Sequence, residues 1–209
     1  MPRRSSATSP GIANSLGGVP PPSNEQQTMK VIAFAGYSGA GKTTLVERLI
    51  PELRRHGLRV SVVKHAHHKF DIDHPGKDTW RHREAGAFEV VVASDRRLAL
   101  MREFERPAEL DVHQLLAELW EGVDWVLVEG FKHSDLPKIE VMRRIEPGQA
   151  PRPALYPQDG FVCAIATDSR DNLPEPTGLP VFDLNDAPAV VQWLLANGGR
   201  FHYNPEIHG

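Results

Sequence analysis

One cysteine, Cys163, stands among 209 residues. A lone thiol rules out an internal disulfide framework and fits a reducing, cytoplasmic setting. No apolar run approaches the roughly 20 residues that a membrane-spanning helix needs, so no membrane association is expected. Positive charge is not in excess either. The 24 lysines and arginines against 27 aspartates and glutamates leave a net charge of −3, which gives no support for a general nucleic-acid surface. Internal repeats are absent. Residues 1–28 carry Arg3 and Arg4 but no continuous apolar segment, so they do not read as a secretory signal. Rich in Ser, Pro, Gly and Ala, with Pro20, Pro21 and Pro22 in a row, they cannot bury enough apolar surface to order themselves. They are expected to be a disordered leader, with Met29 as a candidate functional start. The remaining stretch, about 180 residues, is the size of one α/β domain. That domain is expected over 29–197, and the sequence says nothing about the structure of a tail over 198–209.

The most informative stretch is 30–53. An apolar run, Val31 to Ala35, precedes Gly36-Tyr37-Ser38-Gly39-Ala40-Gly41-Lys42-Thr43-Thr44, and Leu45, Val46, Leu49, Ile50 and Leu53 then recur at helical spacing. The middle segment fits G-x-x-x-x-G-K-[ST], the phosphate-binding loop, and strand before and helix after are the context it requires. Gly36, Gly39 and Gly41 let the backbone approach an anion, and the helix start adds its positive dipole end. Lys42 is then the residue that reaches the β and γ phosphates, and the Thr43 hydroxyl a ligand of Mg²⁺. Ser38, Ala40 and Thr44 complete the cradle.

The rest of the chain alternates strand and helix signals, which predicts a mainly parallel sheet with helices on both faces, a three-layer α/β fold. Pro51 should kink the first helix or tighten its last turn, and Gly57 should end it. Residues 58–63 read as a strand with Val60, Val62 and Val63 in the core, which puts Lys64 at the ligand edge as a second candidate phosphate contact. Asp78 is expected to cap a helix over 79–85, stopped by Gly86. Residues 90–93 read as a buried strand and 98–102 as a further short one. Asp111 should cap a helix closed by Gly122. Residues 123–130 form another buried strand, ended by Glu129. Phosphate-loop proteins hold the Mg²⁺ shell with an acid at such a strand end. Asp124, five residues back and ~16 Å away at ~3.3 Å per residue, lies at the wrong end. Residues 138–144 read as a strand with a basic end, 147–157 as a proline-rich loop, and 161–166 and 181–184 as strands. A last helix, capped by Asn185 or Asp186, tolerates Pro188 in its first turn.

Four histidines, His65, His67, His68 and His74, crowd three aspartates between 65 and 78. Their spacing matches no standard zinc box and no cysteine completes one. This segment reads instead as a polar switch-type loop over the nucleotide.

Together, the phosphate loop, Val63-Lys64-His65-Ala66-His67-His68, Gly76-Lys77-Asp78-Thr79 with Glu84-Ala85-Gly86-Ala87, Trp125-Val126-Leu127-Val128-Glu129-Gly130-Phe131-Lys132 and Pro137-Lys138-Ile139-Glu140-Val141 resemble the molybdopterin-guanine dinucleotide biosynthesis protein B (MobB) family over 30–196. The resemblance implies the fold of phosphate-loop NTPases and a dimer. It also implies a GTP-binding accessory protein of molybdenum-cofactor maturation with weak Mg²⁺-dependent hydrolysis. Its partner would be the guanylyltransferase that joins GMP to molybdopterin. It implies that Gly39 to Thr44 bind phosphates, that Thr43 and Glu129 serve Mg²⁺, and that Lys64 and Asp78 lie near the nucleotide, Asp78 with Lys42 and Glu129 as a catalytic candidate. Two other readings stand beside a GTPase: a nucleotide-loaded adapter with incidental turnover, and a small-molecule kinase. The Asn-Lys-x-Asp signal of other GTP-binding proteins is absent. Guanine reading is assigned to an aspartate after the strand 161–166, Asp168 or, one turn on, Asp171. A carboxylate there accepts from guanine N1–H and the exocyclic amine together.

Overall fold

Alternation along the first strand sets the layers. In β1, Lys30–Ala35, Ile32 and Phe34 face one side and Val31 and Ala33 the other, and both sides are buried. A strand buried on both faces belongs inside a parallel sheet. The computed structural model describes residues 29–66, 70–119, 121–144 and 152–204. The leader, His67 and His68, residues 147–151 of the proline-rich loop and the last five residues lie outside them.

The elements follow in the order α1 (Lys42–Arg55), β2 (Val60–Lys64), α2 (Asp78–Glu84), β3 (Glu89–Ala93), β4 (Leu98–Arg102), α3 (Val112–Ala117), β5 (Trp125–Glu129), β6 (Lys138–Met142), β7 (Val162–Thr167), β8 (Val181–Asp183) and α4 (Ala187–Ala196). Six strands form one parallel sheet in the order β2-β5-β1-β6-β7-β8. Helices α1 and α4 cover the face of Ile32 and Phe34 through Leu45, Leu49, Leu53, Val190 and Leu194. Helix α3 covers the other face through Val112 and Leu116. Each fully buried aliphatic side chain of this kind stabilises the fold by about 1.5–3 kcal/mol. The three-layer expectation is met, and α1 and α4 together hold the sheet edge that carries the phosphate loop.

Local expectations are met in part, and Gly57 ends the first helix as expected. Helix α1 runs through Pro51 to Arg55, with Gly57 beyond it at φ 77. Only Val63 of β2 is fully buried, and Val62 is exposed, because β2 is an edge strand. The strand at β3 is buried only at Val90, and Val91 and Val92 face solvent. It leaves the main sheet and pairs antiparallel with β4 in a separate two-stranded ribbon. Its valine run reads as a buried strand, but only Val90 is covered, on the side where α2 packs. Asp78 is the first residue of α2, whose N-cap is Lys77 with no side-chain cap bond. Helix α3 stops at Ala117, short of Gly122, while Asp111 forms the full capping box with Gln114. Asp186 caps α4 by accepting from Ala189 N.

The tail is structured as far as Asn204 in a way no sequence signal announced. A short 3-10 turn, Gly198–Phe201, buries Phe201 against Trp125 and Trp193. His202 then bridges Lys30, and Tyr203 N donates to Met29 O at 2.8 Å.

Candidate phosphate-binding site

The loop between β1 and α1 must turn sharply beneath β6, and Gly36 makes this possible. Its φ is 145, and a Cβ there would lie 2.3 Å from Val141 O, a distance no side chain tolerates. Gly41, at φ 98, occupies the N-cap of α1. Lys42 and Thr43 therefore start the helix at the C-terminal edge of the sheet, where open α/β sheets bind ligands.

Lys42 Nζ donates to Gly36 O and Tyr37 O, both at 2.9 Å, so the ammonium lies across its own loop. Burial holds it below its ordinary pKa. Lys64 pushes the same way, and the Glu129 carboxylate opposes both. Thr43 Oγ1 donates to Glu129 Oε1 at 2.5 Å. Lys64 Nζ sits 3.2 Å from the same Oε1 and 3.5 Å from Thr43 Oγ1. Parallel register explains the meeting: Lys64 ends β2, Glu129 ends β5, and the two are directly paired. Glu129 is largely buried, and its hard carboxylate oxygen beside a hydroxyl is a donor set suited to Mg²⁺. Asp124 is engaged at the other end of β5, accepting from Arg59 N. Just past Glu129, a Cβ on Gly130 would meet His65 Cβ at 2.9 Å. Phe131 has a positive φ of 47 and packs on the His65 ring at 4.8 Å.

Asp168 lies on the other flank of the loop. It lines a cleft of about 590 Å³ with Tyr37, Ser38, Gly39, Ala40 and three arginines, Arg143, Arg144 and Arg152, and its Oδ1 accepts from Arg144 N at 2.8 Å. Asp171 lies outside that cleft and lines a separate hollow beside β8. The structure thus brings Gly36, Ser38 to Thr44, Lys64, Glu129 and Asp168 around one loop. Asp78 is not joined to them. Its side chain is exposed, pairs with Arg81 at 3.8 Å, and makes no hydrogen bond or ion pair with the loop among the described residues. Asp73 is the anchored acid of that segment, accepting from Thr79 Oγ1 at 2.8 Å and pairing with Arg83 at 3.3 Å. Among the described residues no group of three or more histidine, cysteine or acidic side chains is placed to hold a metal ion.

Sequence reasoning missed Arg143, Arg152, Lys132 and Glu140. Arg152 Nη1 donates to Ser38 O at 2.9 Å. The guanidinium of Arg143 packs within 3.1 Å of where a Cβ on Gly41 would stand. Lys132 and Arg152 lie over the Tyr37 ring, 5.4 and 5.5 Å from its centroid. The one available signal was charge inside an apolar strand pattern, Lys138 and Glu140 in β6, both fully buried.

With this geometry in place, comparisons with known proteins agree. The family model described as molybdopterin guanine dinucleotide synthesis protein B matches residues 31–168. A relative from Escherichia coli (strain K12), named molybdopterin-guanine dinucleotide biosynthesis adapter protein, is 41% identical over 174 residues, covering 81% of this chain and 95% of its own. The Haemophilus influenzae protein of the same name is 41% identical, covering 82% and 91%. The crystal structure of a MobB homologue from Bacillus stearothermophilus superposes with a TM-score of 0.57 at 29% identity, covering 81% of this chain and 98% of that one.

Proposed function

The chain belongs to the molybdopterin-guanine dinucleotide synthesis protein B (MobB) family, and from that premise we propose that it is a GTP-binding adapter of molybdenum-cofactor biosynthesis. It would work in the cytoplasm beside the guanylyltransferase that attaches GMP to molybdopterin. One observation carries the nucleotide reading: Lys42, Thr43, Lys64 and Glu129, from three elements, converge on a glycine-rich loop at a helix start. In this reading the loop amides and Lys42 bind the β and γ phosphates, and Thr43 and Glu129 hold Mg²⁺. When bound, that ion neutralises phosphate charge. Lys64 leaves Glu129 and turns its ammonium to the phosphates. Asp168, on the cleft wall, accepts from guanine N1–H and the exocyclic amine. Adenine offers no such donor pair.

Hydrolysis is a slower, secondary activity in this reading. The exposure of Asp78 supports this, because among the described residues it leaves Glu129 as the acid bonded at the loop to orient a water. The chain is also proposed to act as a two-fold dimer through the face of the β3–β4 ribbon that carries Val91, Leu98 and Leu100.

Calorimetry with GTP, ATP and Mg²⁺ tests the binding reading. The parent chain is expected to prefer GTP by at least tenfold. Lys42→Ala should lose most phosphate affinity, and Asp168→Asn should lose the preference, its GTP affinity falling at least tenfold to that of ATP while ATP affinity is kept. Near-normal GTP binding by Lys42→Ala would overturn the site. GTP turnover with and without the guanylyltransferase separates a GTPase from an adapter, and an adapter keeps slow turnover in both.

A further inference from the structure

Three guanidinium groups, of Arg143, Arg144 and Arg152, share the cleft beside the phosphate loop, and none of them pairs with a carboxylate side chain among the described residues. Two touch the loop itself. Arg152 holds Ser38 O, and Arg143 packs on Gly41. Lys132 joins Arg152 over the one Tyr37 ring. Like charges lining one cleft repel one another, Asp168 and Glu140 on the same wall offset only part of this, and the inward loop amides and Lys42 add to the positive sign. An anion seated in the loop relieves that repulsion.

Arg152 is also held in place at some cost. Glu140, 1% exposed, accepts from Leu155 N at 2.8 and 3.0 Å and from Tyr156 N at 2.8 Å. Tyr156 Oη donates to Glu175 O at 2.6 Å. Lys138, fully buried, pairs with Asp159 at 2.9 Å. Buried charges of this kind are a weak source of stability, because desolvation offsets their attraction. Here they fix the backbone at Leu155 and Tyr156 and the side chain of Asp159, a few residues after Arg152.

We propose that Arg152 is a phosphate-binding residue of the nucleotide site, supplied by the chain's own proline-rich loop, and that Glu140 is the positioning residue that presents it. The inference rests on the nucleotide reading of the loop. The guanidinium exchanges its contact with the neutral Ser38 carbonyl for charged hydrogen bonds to phosphate oxygens. These are roughly twice as strong, and the planar fork of arginine suits them.

The test is the ratio of GTP to GMP affinity, measured with the full chain by calorimetry at low salt. A residue that touches the phosphate chain changes this ratio, whereas one that merely supports the fold or the base changes both affinities together. Arg152→Ala is expected to lower the ratio about tenfold, or about 1.4 kcal/mol, with Arg152→Lys recovering part of it. The loss should shrink as salt rises. Glu140→Gln should move the ratio in the same direction by a smaller factor. A ratio changed less than threefold in Arg152→Ala overturns the inference and leaves the nucleotide site standing. A parent chain that binds no guanine nucleotide at millimolar concentration overturns the nucleotide reading, and this inference with it.

Discussion

Three side chains share one spot at the end of β5, where the Lys64 ammonium lies against both Glu129 and Thr43. A divalent cation bound there competes with that ammonium, so two variants should shift metal affinity in opposite directions. Glu129→Gln removes the anionic ligand and should weaken Mn²⁺ binding, read by paramagnetic resonance without nucleotide, about tenfold or more. Lys64→Met removes the competing charge and should tighten it. Unchanged Mn²⁺ affinity in both variants would move the metal role elsewhere. Cys163 yields a second prediction. Burial pushes its thiol up to about 11, so at pH 8 only about one thiol in a thousand is ionised, and alkylation should be slow until the chain unfolds. The folded pKa lies above the ordinary thiol value. This contribution to stability is therefore full below about 9 and declines as pH rises toward 11. Denaturant midpoints from pH 8 to 10.5, compared with Cys163→Ala, measure it. A midpoint difference that does not change with pH would contradict it. Lys42, Thr43, Lys64 and Glu129 were legible in the sequence because each is fixed by its own element: a loop motif, a helix start, or the last residue of a strand. Arg152 was not, because it reaches the loop from more than a hundred residues along the chain, through a contact with Ser38 O that no local pattern announces.

At the scale of elements, strands buried on two faces were the easiest to read. Val126, Leu127 and Val128 in β5 and Ala164, Ile165 and Ala166 in β7 are all fully buried. Strand type was also legible in β3, but its burial was not. Residue propensity sets an extended backbone, whereas burial depends on which element arrives to cover it. The tail shows the converse. Gly198 and Gly199 look like a chain end, yet Phe201 after them is 2% exposed and fills a corner between Trp125 and Trp193. Phe201→Ala should therefore destabilise the fold by about 3–5 kcal/mol, the usual cost of removing a buried phenyl group. Asp186→Ala, which removes the cap of α4, should cost about 1 kcal/mol. Urea unfolding of both variants checks the order. A tail that contributes nothing would leave Phe201→Ala as stable as the parent chain.

At the scale of the whole molecule, the β3–β4 ribbon stands apart from the six-stranded sheet. Its register pairs Val91 with Leu100 and Ala93 with Leu98, so these side chains share one face, and Val91, Leu98 and Leu100 are 56%, 58% and 43% exposed. Phe88 and Phe104 flank it and are exposed as well. An isolated two-stranded ribbon is marginal in water and needs a third strand or a packed face. Among the described residues neither of its outer edges pairs with a further strand, and such edges invite one. A second copy of the chain supplies either one, and a two-fold axis through the ribbon lets the same residues cover each other. The family resemblance implied self-association, but no sequence feature located the surface, since the valines of β3 read as core. Placing a charge on that face should separate the two explanations of its apolar character. Val91→Asp with Leu98→Asp should give a monomer by sedimentation at tens of micromolar, where the parent chain is expected to be a dimer, while GTP affinity stays within about threefold. A double variant that still sediments as a dimer would move the interface to another surface. A parent chain that is monomeric at that concentration, the range where a micromolar pair assembles, would remove the dimer altogether.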